Sequence, residues 1–201
     1  AAAALAESTE PGDTTASRFG PRARADDIDE AARKYGVPRD ILLAIAYNVS
    51  RFDTSAVSQF GGHGVMQLTQ NSSVDTLGQA AALTGLSERK LASDVRANVL
   101  GAAAVLRAEA DALGLTGADR RSIDAWYEPV ARWIQHDDHM MAKLEADAVY
   151  GVLAAGVDTA DSSLRIRARS AFGEISAYGD LGPSSIAPMS TDYGPAHWVP
   201  A

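Results

Sequence analysis

The sequence predicts a predominantly all-α fold with a short loop or hairpin arm and an extended C-terminal tail. Apolar residues recur at helical spacing through most of residues 27–155. Alanine-rich runs at residues 80–82 and 102–104 also favour helix, because alanine has the highest helix propensity. With 201 residues, 46% of them hydrophobic and 22% charged, the chain has the size and composition of one globular domain.

Six or seven helices are predicted. The first covers residues 27–35 and stops at residues 36–38, where Gly and Pro end it. The second begins at Arg39 and carries an apolar stripe, which predicts a central, buried helix. Its stripe consists of Ile41, Leu42, Ile45 and Val49. The remaining helices are expected to begin at Ser72 or Ser73 and at Leu86, and to cover residues 95–113, 124–133 and 140–155.

Local composition divides the chain into three parts. Residues 1–24 mix Ala, Ser, Thr, Pro and Gly without a sustained period, which predicts a flexible lead-in. Residues 25–157 carry the helical pattern and form the predicted domain, in which the Asp-, Ser- and Gly-rich residues 53–64 predict the loop or hairpin arm. Residues 158–201 lack the pattern and are broken by Gly and Pro at residues 179–183, so they are predicted to be an extended tail or linker.

Charge and composition exclude several classes of function. A formal charge of -8 repels phosphate backbones and no basic run offsets it, so no nucleic-acid partner is expected. The longest strongly apolar segment, residues 41–47, is far shorter than the roughly 20 residues that span a bilayer, so no membrane partner is expected. The lack of cysteine excludes disulfides and thiolate zinc sites. His136 and His139 have metal-like spacing without a third ligand, so a polar turn is favoured and neither metal nor cofactor is expected.

Four stretches of sequence carry a pattern of a known family. They are YGVPRDILLAI at residues 35–45, SRF at 50–52, GVMQL at 64–68 and NVLGA at 98–102. Together they resemble the goose-type lysozyme and lytic transglycosylase superfamily, in which a helix ends with a Glu-Ser pair and a Gly-x-Met-Gln turn follows. The resemblance implies a lysozyme-like helical domain that binds peptidoglycan glycan strands. It also places Val49 where the superfamily has its glutamate.

The residue at position 49 matters because cleavage of a glycosidic bond needs a proton donor. The donor is normally a carboxylic acid whose pKa is raised in a partly apolar cleft. Valine has no such proton, and in the transglycosylase route implied by the resemblance one carboxyl group acts as both acid and base. Asp53, four residues further along, is the alternative acid, although it is expected in the loop rather than on the helix. Loss of catalysis is therefore the favoured interpretation.

Six residues become candidates for contact with a glycan under this resemblance. They are Ser50, His63, Gly64, Met66, Gln67 and Tyr127. Several have a structural alternative that the sequence leaves open. Ser50 could close the end of the helix, Met66 could fill the core, and His63 could be a solvated loop residue. Tyr127 could pack between helices instead of stacking on a pyranose ring.

A narrower resemblance covers the later part of the chain. The segments DAWYEPVAR at residues 124–132 and AVY at 148–150, with residues 192–201, resemble the N-terminal region of secreted actinobacterial N-acetylmuramoyl-L-alanine amidases. In those proteins a lysozyme-like segment precedes a separate amidase domain. The resemblance implies a secreted, extracellular or cell-wall-associated protein and a covalently linked amidase domain as a partner.

These observations leave three hypotheses. The first is a peptidoglycan-binding domain that has lost its catalysis and belongs to a secreted cell-wall amidase-type protein. The second is an active muralytic enzyme that cleaves the MurNAc-GlcNAc bond with Asp53 as a displaced acid. The third is a structural or protein-interaction domain without glycan binding. A cleft filled by side chains around Val49 would favour the third over the first.

Overall fold

The computed structural model describes residues 24–134 and 139–169. In these two ranges the chain forms seven α-helices and one two-stranded antiparallel sheet, which confirms the predicted all-α class with its hairpin arm. The helices are α1 Ala25–Tyr35, α2 Arg39–Ser50, α3 Thr76–Thr84, α4 Glu88–Ser93, α5 Val95–Ala112, α6 Tyr127–Ile134 and α7 His139–Ala155. The strands are β1 Gly62–His63 and β2 Leu68–Thr69.

Helix α5 is the centre of the fold. It packs against α1, α3, α4 and α6, and every residue from Ala97 to Leu106 is buried. Gly101 allows α3 and α4 to pack close to α5, because a Cβ there would lie 2.7 Å from Leu91 Cδ2 and 3.1 Å from Ala80 Cβ. Helix α2 packs against α1 and α7 and buries the continuous run 41–46, as its apolar stripe predicts.

Helix α3 begins later than the sequence predicts, at Thr76 rather than at Ser72 or Ser73. The Asn71 side chain explains the delay, because its Oδ1 accepts the backbone N–H groups of Ser73 and Val74 and holds the chain in a turn. Asp75 then acts as the N-cap by accepting the N–H of Gly78 at 2.9 Å. The predicted helix at 124–133 is also divided, because Asp124–Trp126 forms a 3-10 turn before α6.

The predicted arm is a short hairpin between α2 and α3. Gly62 pairs with Thr69 and His63 with Leu68, in antiparallel register. Ser58 holds the approach to β1, since its backbone N–H donates to Gly62 O and its Oγ accepts the N–H of Gly62, both at 2.9 Å. The arm therefore has a defined position next to the end of α2.

Residues 158–169, which the sequence assigns to the tail, pack against the helical domain. Leu164 and Ile166 are 1% and 2% exposed, and Ile166 forms a bridge with Val157. Arg169 donates to Asp40 at the start of α2 at 2.7 Å.

The predicted domain boundaries stay a prediction. Three predicted features lie outside the described residues. They are the lead-in over residues 1–23, the turn at residues 135–138 that contains His136, and the connector-like residues 192–201, which belong to the range 170–201.

Candidate functional site

A cleft of about 140 Å³ opens where the C-terminal end of α2, the hairpin arm and the pair α6–α7 meet. One wall comes from α2 and β2, a second from the start of α3 and the segment before it, and a third from α6 and α7. Its lining residues are Asn48, Val49, Gln67, Thr69, Val74, Thr76, Trp133, Ile134, Glu145 and Val149.

Val49 lies in the last turn of α2, half-buried against the core, and lines the cleft. The chain leaves this turn through two consecutive non-glycine residues in left-handed backbone conformation, Arg51 with φ 54° and Phe52 with φ 64°. A tilted ring contact and a cation–π contact support this strained exit from the helix. The ring centroids of Tyr47 and Phe52 are 5.7 Å apart, and the Arg51 guanidinium lies 4.4 Å from the Tyr47 centroid. Such strain is typical of functional sites, and here it fixes the direction in which the last turn of α2 ends.

Ser50 connects α2 to the loop that follows the first strand. Its Oγ lies 2.8 Å from Val65 O and 2.9 Å from Ala46 O, and its single hydrogen donates to one carbonyl at a time. Ser50 does not belong to the residues that line the cleft. In the free protein it holds the helix end against the loop, which is the structural alternative that the sequence left open.

Buried Asn98 on α5 positions the Gly-x-Met-Gln turn. Its Oδ1 accepts the N–H of Met66 at 2.8 Å, while its Nδ2 donates to His63 O at 2.9 Å and to Leu91 O at 3.0 Å. Met66 itself is fully buried and fills core space. Gly64 is required at its position, because its φ is 72° and a Cβ would lie 2.7 Å from Asn98 Cγ.

Gln67 is the candidate glycan contact that does line the cleft. Its backbone is left-handed, with φ 50°, and its Nε2 donates to Ala56 O at 2.9 Å and to Gly64 O at 2.7 Å. The amide hydrogens are thus engaged inside the protein. Nearby, Thr76 Oγ1 accepts the N–H of Thr69 at 2.8 Å, and Thr69 Oγ1 donates to Gln67 O at 2.9 Å. The donors on this wall therefore bond mainly to the protein itself.

The opposite wall is set by contacts between α6 and α7. The Tyr127 hydroxyl lies 2.7 Å from Asp147 Oδ1, and its ring meets that of Tyr150 edge-on with centroids 5.3 Å apart. Burial and the neighbouring Asp147 carboxylate raise the pKa of Tyr127 well above its ordinary value, so the hydroxyl stays a donor. Tyr127 does not line the cleft. It fixes α7, whose Glu145 and Val149 lie one turn apart and face the cleft.

Trp133 on α6 contributes a buried donor to the same wall. Its side chain is 5% exposed, and the indole Nε1 has no hydrogen-bond partner within the described parts of the chain. An unpaired buried N–H costs about 1–3 kcal/mol. Trp126, also buried, shows the satisfied alternative, because its Nε1 donates to Arg120 O at 3.0 Å.

Among the described lining residues Glu145 is the ionisable one, and none of them is Lys, Arg or His. Asp53, the alternative acid, lies elsewhere. Its Oδ1 accepts the N–H of Ser55 at 2.8 Å and the Ser55 hydroxyl at 2.7 Å, which closes a local turn in the loop. In the described ranges no group of three or more potential metal ligands is found, and no helix there is both long and apolar enough to cross a bilayer.

The structure thus separates the predicted site residues into two groups. Val49 and Gln67 reach the cleft, whereas Ser50, Gly64, Met66 and Tyr127 shape its surroundings, and His63 lies half-buried on β1 outside the lining. A role in glycan contact stays a prediction for all of the candidates.

Sequence reasoning missed Trp133, Glu145 and Val149. The four-residue spacing of the last two was the available signal, but it did not reveal which helix they face.

The chain belongs to the family described as "Transglycosylase SLT domain", whose model matches residues 26–127. The matched range contains α2, the hairpin arm and α5, which build the first wall of the cleft and support it.

Among individual proteins, the chain is similar to the "Membrane-bound lytic murein transglycosylase C" of Salmonella arizonae, with 32% identity over 72 residues. That match covers 36% of this chain and 20% of the relative, so the chain corresponds to only a small part of that protein. These matches confirm the transglycosylase resemblance. The narrower amidase resemblance and the equivalence of Val49 with the family's glutamate stay predictions.

Proposed function

We propose that this protein is a peptidoglycan-binding SLT domain that has lost its glycosidase activity and serves a secreted cell-wall amidase-type protein. Membership in the family and similarity to a lytic murein transglycosylase support a peptidoglycan-related role. The observation that carries the loss of activity is Val49, a side chain without a proton to donate on the wall of a cleft that is still open.

The two alternatives receive less support from the geometry. Asp53 accepts two hydrogen bonds from Ser55 in a surface turn and does not line the cleft, so it is poorly placed to protonate a bound glycan. A purely structural domain would be favoured by side chains that fill the space around Val49. The cleft instead retains about 140 Å³ beside this residue, so side chains do not fill the space around Val49.

Release of soluble muropeptides from purified cell walls, followed by mass spectrometry, tests the catalytic half of the proposal. The wild-type protein is expected to release none, and Val49→Glu is expected to gain release because it returns a carboxyl group to the cleft wall. Since general acid catalysis contributes about 10²–10⁴-fold, release by Val49→Glu should reach at least about 100-fold above the assay background seen with wild type.

Val49→Gln is the matched control, because it has the size of glutamate without the acid and should remain inactive. Release by the wild-type protein that disappears in Asp53→Asn would establish the displaced-acid alternative. Wild-type release that disappears in Glu145→Gln would instead identify the carboxylate on α7 as the acid. Either result refutes the proposed loss of catalysis.

Sedimentation with insoluble peptidoglycan tests the binding half. Enrichment in the pellet over an unrelated acidic protein is expected. Val49→Trp should abolish it by filling the cleft, while Leu83→Trp, at a residue 50% exposed outside the lining, should leave it unchanged. Equal sedimentation of the protein and the unrelated control would remove the binding claim and favour the structural alternative.

The cellular context belongs to the same proposal. The similarity of residues 124–132 and 148–150 to secreted actinobacterial amidases supports a wall-targeting role beside an amidase domain. Detection of the protein with a specific antibody in fractionated cells tests this point. Recovery in the cytoplasmic fraction alone would contradict secretion.

A further inference from the structure

We propose that Glu145 makes the cleft selective for a primary ammonium group on its ligand, as on a de-N-acetylated amino sugar or a free side-chain amine of a stem peptide. This inference rests on the proposed saccharide binding in the cleft. It assigns a ligand chemistry to a residue on α7, beyond residues 26–127 that the family model matches.

The first step is the charge of the cleft, whose described lining residues carry one negative charge. Glu145 is the ionisable residue among the described lining residues, and four aliphatic side chains surround the same space: Val49, Val74, Ile134 and Val149. Because none of the described lining residues is cationic, no side chain among them neutralises this carboxylate, and it attracts a cation from the ligand.

The second step is the engagement of the other polar groups. Both donor contacts of Gln67 Nε2 go to backbone carbonyls, and the hydroxyls of Thr69 and Thr76 bond within the same wall. A ligand therefore finds few free hydrogen-bond donors on the β2 side. The carboxylate of Glu145 is the strongest hydrogen-bond acceptor among the described lining residues, because a charge-assisted hydrogen bond is about twice as strong as a neutral one.

The third step is the fixed position of the carboxylate's helix. Val149, one turn beyond Glu145 on the same face, is 1% exposed and anchors α7 in the core. The contact between Tyr127 and Asp147 holds the rotation of α7 from its other side. Glu145 is itself exposed, so solvent and bound ligand both reach it.

Calorimetric titration of the full chain tests the inference with three ligands. They are a tetramer of glucosamine, a tetramer of N-acetylglucosamine, and an N-acetylated muropeptide with a free side-chain amine. Because an ion pair at an exposed carboxylate is weak, the wild-type protein should prefer an amine-bearing ligand by about twofold to fivefold. The preference should fall as salt is raised.

Two variants separate the cleft from the overall acidity of the protein. Glu145→Gln should reduce the preference to about equal binding. Glu109→Gln removes the same charge from α5 outside the lining and should keep the preference. The tetramers and the muropeptide distinguish an amino sugar from a peptide amine, since only the true source should lose affinity in Glu145→Gln.

The possible results are distinguishable. Equal binding of the acetylated and amine-bearing ligands by wild type overturns the inference while the proposed function stands. A preference that survives in Glu145→Gln also overturns it, because the net charge of the protein is then the cause. Failure of all three ligands to bind, together with no sedimentation on peptidoglycan, refutes both the inference and the proposed function.

Discussion

Substitution of Gly64 by alanine gives the sharpest measure of how α5 supports the cleft. The substitution has two separate costs, since Gly64 has φ 72° and its missing side chain leaves room for Asn98. An alanine Cβ would lie 2.7 Å from Asn98 Cγ and Nδ2 and 2.9 Å from Oδ1. Asn98 therefore has to move, and its bonds to Met66 and His63 lengthen or break.

The magnitude follows from these two costs. A left-handed conformation costs an L-residue about 1–2 kcal/mol, partly offset by about 0.4–1 kcal/mol because alanine restricts the unfolded chain. Each of the two Asn98 hydrogen bonds to Met66 and His63 contributes about 0.5–1.5 kcal/mol. We therefore expect Gly64→Ala to lower the free energy of unfolding by about 1–5 kcal/mol, which is more than the conformational part alone.

Gly114→Ala is the matched control. Its φ is 73°, almost the same as that of Gly64, but apart from its chain neighbours no described residue has an atom within 4 Å of the added Cβ. It should therefore cost only the conformational part, about 1 kcal/mol. Urea unfolding of the two variants beside wild type measures the difference. Equal losses of stability at Gly64 and Gly114 would refute the argument that Asn98 packs against Gly64 and holds the turn.

Two further predictions concern a buried donor and a helix cap. In thermal unfolding, Trp133→Phe should destabilise the protein by about 1–3 kcal/mol less than Trp126→Phe does, because only the Trp126 indole N–H donates a hydrogen bond that the substitution removes. Equal destabilisation by the two substitutions would contradict the unpaired donor at Trp133. Asp94→Ala removes the N-cap of α5 and should cost about 1 kcal/mol at pH 7. The backbone N–H of Ala97 and then Lys90 lower the pKa of Asp94, so its stabilisation is present above the unfolded pKa and is lost as pH falls through the folded one. Urea unfolding at pH 7 and pH 3 should therefore show a smaller difference at pH 3, and a constant difference would contradict this role.

The helices of this protein could be predicted from local sequence. The 3.6-residue pattern and the Gly and Pro residues that follow α1 act within a few residues, so they can be read without knowledge of the fold. The start of α3 was wrong because Asn71 bonds the next backbone N–H groups and holds a turn where the pattern suggested helix. That contact is also local, but several serines in the same stretch offered equally good caps.

The family could likewise be recognised from short motifs around α2, the hairpin arm and α5. The roles of individual motif residues could not. Met66 could have lined the cleft or filled the core, and its full burial next to Asn98 decided for the core. Ser50 bonds to Val65 O, a partner fifteen positions away in a loop whose path the sequence does not define.

What the sequence by itself determined was the helical class, the hairpin arm, the transglycosylase family and the valine at position 49. What only the tertiary structure decided was which side chains share the cleft with that valine. Glu145 and Trp133 reach it through the packing of α7 against α2 and of α6 against α7. Periodicity shows that a helix has a buried face, but the partner of that face depends on contacts between residues distant in the chain.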